Sequence, residues 1–169
     1  MTTLLLVRHG ETDWNAERRW QGHADVPLNA RGRAQARELA EALVGEQIDA
    51  IYTSDLSRAH ATAEIVGARL GVQVVTDPDL REIDVGSREG CTGEIDAPWD
   101  GEETEAHAAR ILEAVHRIAA QHPDGRVLVV THGGSMRRVH EHLGLEDRLI
   151  ENCVVWTCAY EGGVLRPID

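Results

Sequence analysis

Leu4-Leu5-Leu6-Val7-Arg8-His9-Gly10-Glu11-Thr12 is the stretch that decides the fold. Four consecutive apolar residues that stop at a polar pair and a glycine read as a short buried strand, spanning Thr3 to Arg8. Arg8 and His9 then stand at its C-terminal end, where an open α/β sheet presents side chains to a ligand. A guanidinium beside an imidazole suits the holding of a phosphate and attack on its phosphorus.

Outward from that strand, short apolar runs alternate with helical periodicity. Asn29 is expected to cap a helix reaching about Val44, with Ala36, Leu39, Ala40 and Leu43 on one face. Ala50 to Thr53 reads as a second strand. Leu56 to Leu70 reads as a helix with Ala59, Ala63, Val66 and Leu70 as its stripe and Gly71 as its stop. Val72 to Thr76 is a third strand, and residues 79–101 are irregular. Asp100 is expected to cap a further helix, paired with Glu103 in a capping box. That helix carries Ala108, Ile111, Leu112, Val115 and Ile118 and ends near Gln121. Val127 to Thr131 is a strong strand, followed by a helix over Ser135 to Leu143. Val154 to Tyr160, Gly162-Gly163 and Val164 to Arg166 read as a terminal hairpin or its remnant. This order predicts an α/β fold: a three-layer α/β/α sandwich around a mostly parallel central sheet.

The chain of 169 residues fits one domain, with a 42% apolar fraction ordinary for a globular protein. No apolar run is long enough for a membrane span, and residues 4–7 are too few for a signal-peptide core. A cytoplasmic protein is expected. The net charge of −12 argues against nucleic acid or an anionic membrane as partner. An acidic protein that binds phosphate must gather its arginines locally, and Arg8, Arg18, Arg19 and Arg58 are the candidates. Cys91, Cys153 and Cys158 form no Cys-x-x-Cys pair and read as unpaired residues in a reducing compartment. Neither the cysteines nor the nine histidines show a metal-ligand spacing, so no metal is expected.

Transfer of a phosphoryl group from an ester needs charge neutralisation, an in-line nucleophile, a proton for the leaving alkoxide and fixed donors for the equatorial oxygens. His9 is the candidate nucleophile, kept neutral by adjacent cations. Arg8 and Arg58 are the candidate clamps, with forked donors suited to phosphate oxygens. Arg58 follows the second strand at the first turn of a helix, where backbone N–H groups also favour anions. His132 follows the strand 127–131 and can donate to an equatorial oxygen. Gly133 and Gly134 let backbone approach the anion and open a helix. Glu82 is the candidate general acid for the alkoxide and then base for water. Asp79 and Asp84 compete with it for that role. Asn15 and Gln21 are neutral amides that can donate without changing the charge balance.

These blocks resemble the histidine phosphatase superfamily, the phosphoglycerate mutase-like enzymes of branch 1. Arg8-His9-Gly10-Glu11-Thr12 with Asn15 resembles its opening, and Trp20-Gln21-Gly22 the substrate loop that follows. Leu28-Asn29 with Gly32 resembles the start of its first helix. Ser54-Asp55-Leu56, Arg58-Ala59 and Thr62-Ala63 are similar to the second block. Leu80-Arg81-Glu82 with Gly86 and Glu89-Gly90 is similar to the proton-donor block. Thr131-His132-Gly133-Gly134 resembles the block of the second histidine, and Asn152-Cys153 the pair that opens the last strand. The resemblance implies that His9 is phosphorylated in the cycle and that Arg8, Arg58 and His132 form the phosphate pocket. Glu82 is then donor and base, and Asn15, Gln21, Gly22 and Gly133 join in phosphate or substrate binding. It implies no metal and no cofactor.

Two departures from the family pattern carry meaning. Val85-Gly86-Ser87-Arg88-Glu89 lacks the usual aromatics, and the lid insertion is short, about residues 86–101. Arg88 and Trp99 are the side chains left to meet a leaving group. A mutase must hold a bisphosphorylated intermediate away from water. An open cleft favours hydrolysis, so the expected activity is a phosphomonoesterase acting on a small phosphorylated metabolite. A cofactor-dependent phosphoglycerate mutase, a protein phosphohistidine phosphatase and a non-catalytic phospho-ligand sensor are the alternatives. The oligomeric state is open, with a dimer as one option.

Overall fold

The computed structural model describes residues 1–147 and 149–168. Six strands form one sheet: β1 (Thr2–Arg8), β2 (Ala50–Thr53), β3 (Val74–Thr76), β4 (Arg126–Thr131), β5 (Val155–Glu161) and β6 (Val164–Pro167). The helices are α1 (Asp13–Ala16), α2 (Ala30–Ala42), α3 (Ser57–Leu70), α4 (Thr104–Gln121) and α5 (Gly133–His142). The strand order is β3-β2-β4-β1-β5-β6. The first four strands in that order run parallel, β5 lies antiparallel to β1, and β6 returns as a hairpin.

Successive side chains of a strand point to opposite faces, so an unbroken apolar run feeds two cores. Leu4, Leu6, Val127 and Val129 pack with Ile111, Val115 and Ile118 of α4 and Met136 and Val139 of α5. Leu5, Val7, Leu128 and Val130 pack on the other face with Leu39 and Ala40 of α2 and Ala59, Ala63 and Val66 of α3. Each fully buried Val, Leu, Ile or Met side chain among these contributes about 1.5–3 kcal/mol. The three-layer α/β/α arrangement follows from that alternation.

Register brings the strand ends level. Arg8 pairs with Thr131 and Thr53 with Val130, and Ser54 N–H continues the ladder onto Val130 C=O. His9 N–H donates to Thr131 C=O at 3.0 Å. Residues 9, 54 and 132 therefore leave the sheet at one height.

Several local expectations are corrected. The third strand starts at Val74 rather than Val72, because Val72 N–H closes α3 on Gly67 C=O. Asp100 caps no helix: its carboxylate accepts from Ser87 N–H, and α4 starts at Thr104 after Glu103, which makes no side-chain cap. The core stripe of α4 begins at buried His107, and Ala108 is half-buried. The helix after β4 starts at Gly133, two residues before Ser135. The one-turn α1 was not expected; Thr12 and Asn15 form a capping box around it.

The loop after β1 is pressed against α2. A Cβ on Gly32 would sit 2.1 Å from Glu11 C=O, and one on Gly10 would sit 2.4 Å from Gly32 C=O. Gly32→Ala is expected to lower unfolding free energy by about 1–3 kcal/mol through forced backbone shifts. A urea midpoint equal to that of the unchanged chain would show that this approach is dispensable.

Candidate active site

His9 and His132 meet at the strand ends, with ring centroids 5.1 Å apart in an edge-on arrangement. His9 Nδ1 lies 2.7 Å from Gly10 C=O. A carbonyl only accepts, so Nδ1 carries the hydrogen, and in the neutral ring Nε2 keeps its lone pair. Burial, then Arg58, then Arg8 push the His9 imidazole well below its ordinary pKa of 6.5. His132 is lowered likewise, by burial first and Arg58 second. His132 Nε2 lies 2.8 Å from Ser54 Oγ, and its Nδ1 is buried without a hydrogen-bond partner among the described residues.

Arg58 is fully buried, yet no carboxylate holds it among the described residues. Its Nη1 donates to Ala24 C=O and its Nη2 to Gly22 C=O, both at 2.8 Å. Burial brings its pKa down to about 10, against the opposing pull of Glu82. Arg8 donates from Nη1 to Ile150 C=O at 2.6 Å. The Nε groups of both arginines are buried and unpartnered among the described residues. Two guanidiniums fixed by carbonyls, each with an N–H unused, form an arrangement suited to an oxyanion.

Thr12 sets the two amides. Its hydroxyl donates to Gln21 Oε1 at 2.8 Å, and its N–H donates to Asn15 Oδ1 at 3.1 Å. Asn152 Nδ2 also donates to Asn15 Oδ1, and to His9 C=O at 2.8 Å. Neither amide nitrogen donates to a protein group among the described residues. Glu82 is held by two backbone donors, Ile83 N–H at 2.9 Å and Gly134 N–H at 3.0 Å. A Cβ on Gly134 would fall 2.3 Å from Glu82 Oε1, so glycine is required for this approach. Arg81, in contrast, faces outward and pairs with Asp55.

Arg8, His9, Asn15, Gln21, Gly22, Arg58 and Glu82 line one cavity of about 500 Å³. His132 and Gly133 are outside its lining: His132 packs edge-on against His9, and a Cβ on Gly133 would sit 3.3 Å from Arg8 Nε. Gly22 contributes through its carbonyl to Arg58, in a left-handed conformation at φ +52°. Asp79 and Asp84 take no part in the lining: Asp79 pairs with Arg117, and Asp84 accepts from Gly86 N–H. Arg18, Arg19 and Trp20 form part of the wall, as does Trp99; Arg88 stacks on the Trp99 ring from 4.8 Å and is not in the lining. Sequence reading missed His107, Arg137 and Arg138 in this wall. The paired arginines of α5 were a legible signal, whereas nothing in the spacing marked His107.

A profile of the histidine phosphatase superfamily (branch 1) matches residues 4–161. The chain belongs to this superfamily. Phosphoglycerate mutase-like protein 4 of Arabidopsis thaliana is 40% identical over 169 aligned residues, 88% of this chain and 74% of that protein. A metal-independent phosphoserine phosphatase of Arabidopsis thaliana is 37% identical, over 83% of this chain and 68% of its own. YhfR of Bacillus stearothermophilus superposes with a TM-score of 0.91 at 34% identity, covering 99% of this chain and 95% of that one. The central sheet and its flanking helices are thus those of a branch 1 histidine phosphatase.

Keeping two imidazoles neutral inside this histidine phosphatase has a cost at acid pH. The unfolded chain takes up protons near 6.5, while folded His9 and His132 resist them. The unfolded state binds more protons below that value, so stability falls as pH falls through it. The melting temperature is expected to drop between about pH 7.5 and about pH 5.5, and His9→Asn should shrink the drop. An equal drop in the variant would remove His9 from the groups that titrate on unfolding.

Proposed function

We propose that the chain is a phosphomonoester hydrolase that works through a phosphohistidine at His9, without metal, on a small phosphorylated metabolite. The observation that carries the reading is the His9 tautomer: Nδ1 donates to Gly10 C=O, leaving Nε2 as a neutral nucleophile among unpaired arginine donors. The ester phosphate binds between Arg8 and Arg58, with Asn15 and Gln21 amide nitrogens on its remaining oxygens. His9 Nε2 attacks phosphorus in line with the ester oxygen. Glu82 gives its proton to the departing alkoxide, and Gly10 C=O supports the positive charge on the phosphorylated ring. Ser54 donates its hydroxyl proton to His132 Nε2, so that His132 Nδ1–H faces an equatorial oxygen. Water then enters, Glu82 takes its proton, and the P–N bond breaks to release phosphate.

Hydrolysis is favoured over transfer by the segment between Glu82 and α4. Among the described residues it contains one short 3₁₀ turn, Gly86–Arg88, and no longer helix to roof the cavity. The relative described as a metal-independent phosphoserine phosphatase supports the same choice. A cavity of about 500 Å³ suits a metabolite-sized ester. We take the chain as one catalytic domain with a shortened lid at about 86–101. A cytoplasmic setting fits its three free cysteines. A phosphoglycerate mutase is the second reading, favoured by the mutase-like relative. Interconversion of phosphoglycerates outpacing phosphate release, with bisphosphoglycerate supplied, would establish it.

His9→Ala is expected to reduce turnover of p-nitrophenyl phosphate by roughly a thousandfold or more with the fold intact. Appreciable residual turnover would mean another nucleophile. Glu82→Gln is expected to slow an alkyl phosphate by about 10²–10⁴-fold, and p-nitrophenyl phosphate far less, since nitrophenolate leaves without a proton. Equal losses on both substrates would take the acid role from Glu82.

A further inference from the structure

His107 stands on α4, is 1% exposed, and forms part of the cavity wall next to Glu82. The local chain fixes that neighbourhood: Gly134 N–H holds the Glu82 carboxylate, and Ser135 donates its hydroxyl to Arg81 C=O at 3.0 Å. His107 Nε2 lies 3.1 Å from the same Ser135 oxygen. The single hydroxyl proton of Ser135 is committed to a carbonyl, which only accepts. Ser135 must therefore accept from His107, and Nε2 carries the hydrogen. Burial, the largest influence, keeps this imidazole below its ordinary pKa. A neutral ring with hydrogen on Nε2 has a bare lone pair on Nδ1, and no described residue occupies it.

That acceptor is unusual for its place. Six arginines line the cavity, and arginine only donates. The oxygens of Asn15 and Gln21 each accept from Thr12, and those of Glu82 from Ile83 and Gly134, whereas no described residue donates to His107 Nδ1. An aliphatic residue such as Ile111, one turn on, would fill the wall equally well if only shape mattered. We propose that His107 is a specificity-determining residue whose Nδ1 accepts a hydrogen bond from a hydroxyl or ammonium group in the alcohol part of the substrate. The preferred substrates are then phosphate esters of polyols or amino alcohols rather than of plain alkyl chains. This inference rests on the hydrolase reading and adds the substrate class.

The test compares sn-glycerol 3-phosphate with n-propyl phosphate, esters of the same carbon number with and without free hydroxyls. The unchanged protein should favour the glycerol ester in kcat/KM. His107→Leu should lower the glycerol-to-propyl ratio about tenfold, the scale of one lost hydrogen bond. His107→Asn, which sets a carbonyl oxygen near the Nδ1 position, should restore part of it, and melting curves check that each variant is folded. A ratio unchanged in His107→Leu, or no preference in the unchanged protein, overturns the role. Failure of the unchanged protein to hydrolyse p-nitrophenyl phosphate would strike the hydrolase reading instead. Calorimetric binding of the same two esters would then decide whether His107 discriminates them, on the same criterion.

Discussion

Arg58 is a fully buried cation held by two carbonyl oxygens and, among the described residues, by no carboxylate, and the rest of the site depends on it. Burying an unpaired charge is expensive, and a protein with a net charge of −12 has acids to spare for neutralising it. Pairing Arg58 with a carboxylate would lower the burial cost and remove the property that matters. A guanidinium without a carboxylate partner beside His9 disfavours the imidazolium, so the ring stays neutral. Arg8 adds the same bias from the adjacent position, and both leave an Nε–H unused. The dianion of a phosphate ester, the ligand of the proposed function, would satisfy all of these at once.

The sheet makes such a cluster tolerable by fixing it from behind. Parallel pairing of β1, β4 and β2 sets residues 9, 132 and 54 at one level, and the two cores beneath them are closed. Polar groups above the sheet are tied in short chains. Thr62 accepts from Gly10 N–H and donates to Arg58 C=O; Thr12 orients Asn15 and Gln21; Asn152 holds the His9 carbonyl. None of these links depends on a flexible charged side chain. The donors would therefore meet an anion already in place, which is what electrostatic stabilisation of a transition state requires.

Much of this was legible in the chain because strand ends carry their own signals. The apolar runs before Arg8 and His132 marked both strands, and the repeated placement of cationic or imidazole residues after them marked the candidate site. The unread parts depend on contacts distant in sequence. Asp100 and Glu103 have capping-box spacing, but the Asp100 carboxylate finds Ser87 N–H in the loop ahead of it. His107 lies among alanines at 106, 108 and 109, which blur the stripe of α4, so its inward face is set only by the packing of that helix. Thr12 looked like one letter of a motif, and its part in orienting two amides appears only when Gln21 folds back onto it.

A crystal structure with orthovanadate tests most directly whether these groups serve one oxyanion. Vanadium is expected on His9 Nε2, with its oxygens within hydrogen-bond reach of Arg8 Nε, Arg58 Nε and the amide nitrogens of Asn15 and Gln21. Vanadate resting instead on Arg18 or Arg137 at the cavity wall, with His9 Nε2 bare, would show that the buried arginines do not gather an anion for His9 to attack.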